Sequence, residues 1–183
     1  MVNYFGDPTM AGLLAALTQP PVRRKIFVSY HHGNDQAYYE EFSRFFHDQY
    51  EAVYDNSIER KIDSDDVQYV MQRIRDKHIT GTSCTVVLVG SESHERKYID
   101  WEIKATLDKQ HGLIGVFLPT HKKTFDGKII VPDRLHDNVS TGYAGWLHWE
   151  GLTVQSLTQH VNAAIAAPRT LIVNSRDMRK RNG

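Results

Sequence analysis

The sequence predicts an α/β domain, a three-layer sandwich built on a mostly parallel five-stranded sheet. Three observations carry this reading. Short apolar, β-branched runs alternate with segments of helical period along nearly the whole chain. The runs at 84–89 and 113–118 are apolar at almost every position, as strands covered on both faces require. No repeat and no change of composition interrupts the 183 residues, a length that a single core can serve. Such alternation implies right-handed crossovers and a flavodoxin-like strand order.

Taken in order, residues 1–22 read as a leader. Their apolar stretch, 11–17, is too short to span a bilayer, follows Asp7 without any Lys or Arg, and ends at Pro20-Pro21. This suggests a cytoplasmic protein with one domain over 23–168 and a basic tail over 169–183. The first strand is expected at 25–30, followed by a tight loop in which Asn34 or Asp35 caps a helix. Tyr38, Phe42, Phe45, Phe46 and Gln49 then recur at helical spacing. A second strand is expected near 52–54. Ser64-Asp65-Asp66 opens a helix with Val67, Val70, Met71 and Ile74 as its stripe, and Gly81 stops it. After the third strand, Gly90 to Ser93 turns into a third helix reaching about 109. A fourth strand at 113–118 leads into a long polar loop, from Pro119 through Pro132 to Gly142. Residues 145–149 suit an edge strand and 152–167 a last helix. Arg176, Arg179, Lys180 and Arg181 read as a solvated end.

Composition narrows the function. Lys plus Arg and Asp plus Glu each total 22, so no basic field draws nucleic acid or an acidic membrane. Cys84 is the sole cysteine, which excludes a disulfide framework. No P-loop and no GxGxxG is present, and the ten histidines show no ligand spacing, so no metal is assigned. The third strand ends in Gly90-Ser91 where a phospho-receiver carries an aspartate.

In a flavodoxin-like sheet, ligands bind beyond the carboxyl ends of the strands at the switch point, between the first and third strands. Ser29, Tyr30, His31 and Asn34 should therefore face Ser91 and Ser93 across one crevice. Behind them stands the helix bearing Tyr98, Trp101 and Glu102. Hydroxyls, an amide, aromatic plates and a carboxylate suit a ribose and a planar base. Glu102 lies at the margin of the stripe made by Ile99, Ile103, Thr106 and Leu107, and position alone fits a boundary glutamate paired with a lysine.

Four segments carry a resemblance: Ile26-Phe27-Val28-Ser29-Tyr30-His31, Asp63-Ser64-Asp65, Cys84-Thr85-Val86-Val87-Leu88-Val89-Gly90, and Arg96-Lys97-Tyr98-Ile99-Asp100-Trp101-Glu102-Ile103. Together and in order they resemble the prokaryotic TIR-like family, which includes the TIR-like proteins of Thoeris antiphage systems. The likeness spans residues 24–167. It implies a flavodoxin-like sheet and cleavage of NAD+ at the nicotinamide–ribose bond by a glutamate on the third helix. The product would be a cyclic or modified ADP-ribose that switches on a partner effector. By this resemblance Glu102 is the catalytic candidate. Ser29, Tyr30, His31, Asn34, Ser91, Tyr98 and Trp101 are the substrate-binding candidates. NAD+ is then substrate, with no separate cofactor, and self-association is expected. Better-known members place the glutamate three residues after the tryptophan, where this chain has Lys104, so Glu92 and Glu95 stand as alternative carboxylates. A non-enzymatic TIR-like interaction or sensor module, and a nucleoside deoxyribosyltransferase-like enzyme, are the other readings.

Overall fold

A computed structural model describes residues 23–53 and 67–183. The leader over 1–22 and the helix start at Ser64-Asp65-Asp66 lie outside the described residues. The strands are β1 (Arg24–Ser29), β2 (Tyr50–Val53), β3 (Cys84–Val89), β4 (Gly112–Phe117) and β5 (Gly145–His148). The helices are α1 (His32–Phe45), α2 (Val67–Ile74), α3 (Lys97–Asp108), α4 (Asp133–Ser140) and α5 (Val154–Ala166). The sheet order is β2-β1-β3-β4-β5, with every neighbouring pair parallel. This is the flavodoxin-like α/β sandwich expected from the alternation of elements.

Strand alternation divides the core into two layers. On one face Ile26, Val28, Val86, Leu88, Ile114 and Val116 pack against Phe42 of α1, Phe46 at its C-terminal cap, and Leu157 and Val161 of α5. On the other, Phe27 meets Met71 and Ile74 of α2 and Trp101 and Ala105 of α3. Val87, Val89 and Leu113 there meet Ile99, Ile103 and Leu107 of α3 and Leu135 of α4. β3 and β4 are buried at every residue, which is why their sequences carry no polar alternation. Cys84 is fully buried in β3, and burial pushes its thiol up to about 12.

Several local expectations are corrected. α1 starts at His32, so Asn34 and Asp35 lie inside its first turn and neither caps it; His31 holds the cap position without a side-chain bond. α2 widens into a π-type turn over Arg75–Ile79 before Gly81, at φ +89°, ends it in the left-handed region. α3 begins only at Lys97, after a short 3-10 turn over Ser93–Glu95. The polar stretch between Pro119 and Gly142 is not all loop, because α4 forms within it on the apolar pair Leu135 and Val139. The tail keeps Arg176, Lys180 and Arg181 exposed, as expected of a solvated end, but its backbone packs along α3. Trp101 donates its indole N–H to the Arg179 carbonyl at 2.9 Å, and Met178 joins the Phe27–Trp101 cluster.

Candidate functional site

Phe27 and Ser29 project from β1 onto the face covered by α3, where the helix presents Glu102 and Thr106 one turn apart. Ser29 Oγ donates to Glu102 Oε2 at 2.5 Å, and both residues are buried, Glu102 to 6% exposure. Thr106 Oγ1 donates to the Glu102 backbone carbonyl at 2.8 Å and lies 2.6 Å from Thr85 Oγ1. A hydroxyl has one proton to give, so Thr85 is the donor in that last contact. The result is a polar seam down an otherwise apolar helix–sheet contact, with the carboxylate at the end nearest the C-terminus of β1. Glu102 is buried against β1, not set at the helix margin as position alone suggested. It faces the sheet.

The loops after β1 and β3 meet at the carboxyl ends of these neighbouring strands and form the rim of the candidate site. His31 is buried, with Nδ1 3.9 Å from Glu92 Oε2, and Glu92 is ion-paired with Arg96. Burial first, then the charges of Arg96 and His32, lowers the imidazole to about 4, so it is neutral at neutral pH. Asp35 is wholly buried against the β3–α3 turn, so close that a Cβ on Gly90 would fall 2.2 Å from its Oδ1. Glycine is required there for this approach. Neither Asp35 oxygen has a well-directed hydrogen bond among the described residues. Burial raises this carboxyl to about 6, against a smaller opposing pull from the Thr120 hydroxyl. Ser93 locks the same turn, accepting from the Gly90 N–H at 2.9 Å and donating to the Leu88 carbonyl at 3.2 Å.

The family model of the Thoeris protein ThsB, TIR-like domain, matches residues 27–123, more than half of the 183-residue chain. The chain belongs to this TIR-like family. No curated protein matches it. The matched stretch holds Ser29, Asp35, Gly90 and Glu102, whereas α4, β5, α5 and the tail follow it. Among the described residues, no helix is long and apolar enough to cross a membrane.

The TIR-like domain distributes the other candidates unevenly. Tyr30 is buried in the core, its ring stacked on Tyr39 at 4.7 Å and its hydroxyl donating to Gln36 Oε1 at 2.6 Å. Asn34 is exposed on the first turn of α1, and Ser91 is half-buried in the turn after β3. Trp101 is 4% exposed among Phe27, Met71 and Ile74, so its ring offers no open face. Tyr98 meets it edge-on at 5.5 Å, and Lys97 lies over both rings. The two alternative carboxylates are engaged elsewhere: Glu92 with Arg96, and Glu95 with His94 at 3.2 Å. Two residues escaped the sequence reading. Asp35 falls on the helical stripe of Phe42 and Phe46, and an acid in line with an apolar stripe was the available signal. Arg134, fully buried, sits in a stretch whose polarity hid the helix around it.

Proposed function

We propose that this Thoeris TIR-like domain cleaves NAD+ at the nicotinamide–ribose bond, with Glu102 as the catalytic carboxylate. The supporting observation is the single glutamate held at the carboxyl end of β1 by the Ser29 hydroxyl. Nicotinamide in NAD+ is a cationic pyridinium, so the C–N bond breaks with its electron pair going to the ring nitrogen, and the leaving group departs neutral. No general acid is then needed, unlike in a glycosidase. Positive charge grows on the ribose, and a fixed carboxylate stabilises it where it develops. Ser29 orients that carboxylate. His31, Asn34 and Ser91, at or beside the rim, contribute polar atoms for ribose and phosphate, and neutral His31 adds no charge there. The acceptor is water, the adenine of the same molecule, or another small molecule, giving plain, cyclic or otherwise modified ADP-ribose respectively. Such a nucleotide would act as the signal to a partner effector in antiphage defence.

The test is to incubate the purified protein with NAD+, at low and high protein concentration, and follow nicotinamide and nucleotide products by chromatography with mass detection. Glu102→Gln is expected to lower nicotinamide release on the order of 10²-fold or more. Equal release by wild type and Glu102→Gln would remove Glu102 from the role. Absence of release at every concentration would favour a non-catalytic module, a reading that the burial of Glu102 in the polar seam also fits.

A further inference from the structure

The face of α3 turned away from Ser29 is fastened by the chain after α5. Arg134, in the first turn of α4, is the largest fully buried side chain among the described residues. Its Nε donates to Asp100 Oδ1 at 2.9 Å, and its Nη1 to Asn174 Oδ1 at 2.8 Å. Its Nη2 reaches the Arg176 carbonyl at 2.9 Å and the Asp177 carbonyl at 3.1 Å. Asp100 Oδ2 in turn accepts the Arg179 N–H at 2.9 Å. Further along, Asn182 Oδ1 accepts the Lys97 N–H at 3.0 Å, capping a helix whose own cap residue, Arg96, supplies no side-chain bond. At the other end, Asn174 Nδ2 donates to the Lys104 carbonyl at 3.3 Å and to Asp108 Oδ1 at 2.8 Å. Residues 174–182 thus form a strap along α3, pinned through Arg134 to α4.

A buried Arg–Asp pair is poor value in stability alone, because desolvation offsets most of the attraction. What this one fixes is geometry. The fork of the guanidinium holds α3, α4 and the strap in one register. Asp100 and Glu102 are about 200° apart around the helix, at about 100° per residue. A helix held at Asp100 and Trp101 on one side therefore has its rotation and height set on the other, where Glu102 meets Ser29. We propose that Arg134 and Asp100 are positioning residues for Glu102, acting through α3 and the strap without touching the ligand. The kinetic part rests on the NAD+-cleavage reading; the mechanical part does not.

Two variants of the full chain test it. Arg134→Lys keeps the charge and loses the fork. Asn182→Ala removes the helix cap and leaves the buried pair intact. Each is measured by amide hydrogen exchange and by kcat and KM for NAD+ cleavage. The expected result is faster exchange across 97–106, beyond the strap, with kcat lowered about 10-fold or more and KM within about twofold, since small misplacements of a reacting group are costly in rate. Faster exchange confined to 174–182, or a raised KM at unchanged kcat, would overturn the positioning role. If Arg134→Lys does not fold, Asp100→Asn, which keeps the shape and removes the charge that the guanidinium grips, decides by the same measurements. If the wild type releases no nicotinamide, the reaction reading fails by itself and the exchange pattern over α3 still decides the positioning.

Discussion

His31 and Asp35, one helical turn apart at the carboxyl end of β1, shift in opposite directions. Folding keeps His31 neutral down to about 4, where the unfolded imidazole binds a proton below 6.5, so its contribution to stability rises with pH across that interval. Folding keeps Asp35 protonated up to about 6, where the unfolded carboxyl has released its proton above 3.8. Its contribution is full below 3.8 and is lost as pH climbs through about 6. Between pH 4 and 6 the two slopes oppose each other, and the pair leaves little net pH dependence. Denaturant titrations from pH 4 to 7 should therefore separate when either group is removed. Asp35→Asn should show stability rising with pH and His31→Gln should show it falling, each by about 1 kcal/mol once solvent screening at the rim is allowed for. Parallel curves for both variants would sink this account. At this scale the sequence exposed the residue types but not their surroundings. His31 and Glu102 could be named as candidates, yet neither the neutrality of the one nor the burial of the other follows from neighbours in the chain.

α3 is an amphipathic helix with an inserted polar seam, and the seam explains its composition. Glu102 and Thr106 occupy sheet-facing positions that an ordinary core helix would give to leucine or isoleucine. Thr106→Val would strip the partner from the Thr85 hydroxyl and one acceptor bond from the Glu102 carbonyl. A loss of about 1–2 kcal/mol in chemical denaturation is expected. Adding Thr85→Val should recover part of it, because the stranded hydroxyl is then gone; a fully additive loss would contradict the seam. Gly90→Ala should destabilise too, since its methyl collides with the Asp35 carboxyl. β3 and β4, by their continuous apolar runs, and α5 were legible in the sequence. α4 was not, because Leu135 and Val139 are too few to stand out among Asp, His, Asn and Ser. α3 starts later than the sequence suggests because Ser93 spends its hydroxyl on the Gly90 and Leu88 backbone and so closes the turn instead of capping the helix.

For the molecule as a whole, strand order was legible from alternation alone, because parallel crossovers leave few topologies. The strap was not. Its sequence shows arginines, a lysine and polar residues, which pattern reading assigns to solvent. Its contacts are made largely by backbone carbonyls and amides at 176, 177 and 179, and these carry no sequence signature. The single thiol has a different consequence, for chemistry done on the protein from outside. Cys84 lies sealed in β3 and stays protonated far above neutral pH, so alkylating and oxidising reagents have neither access nor a thiolate to attack. A colorimetric thiol titration should count none in the folded protein and one in denaturant. A cysteine placed at Phe45 or Trp146, 61% and 48% exposed, would then be the sole handle for a dye or spin label, with no background to delete.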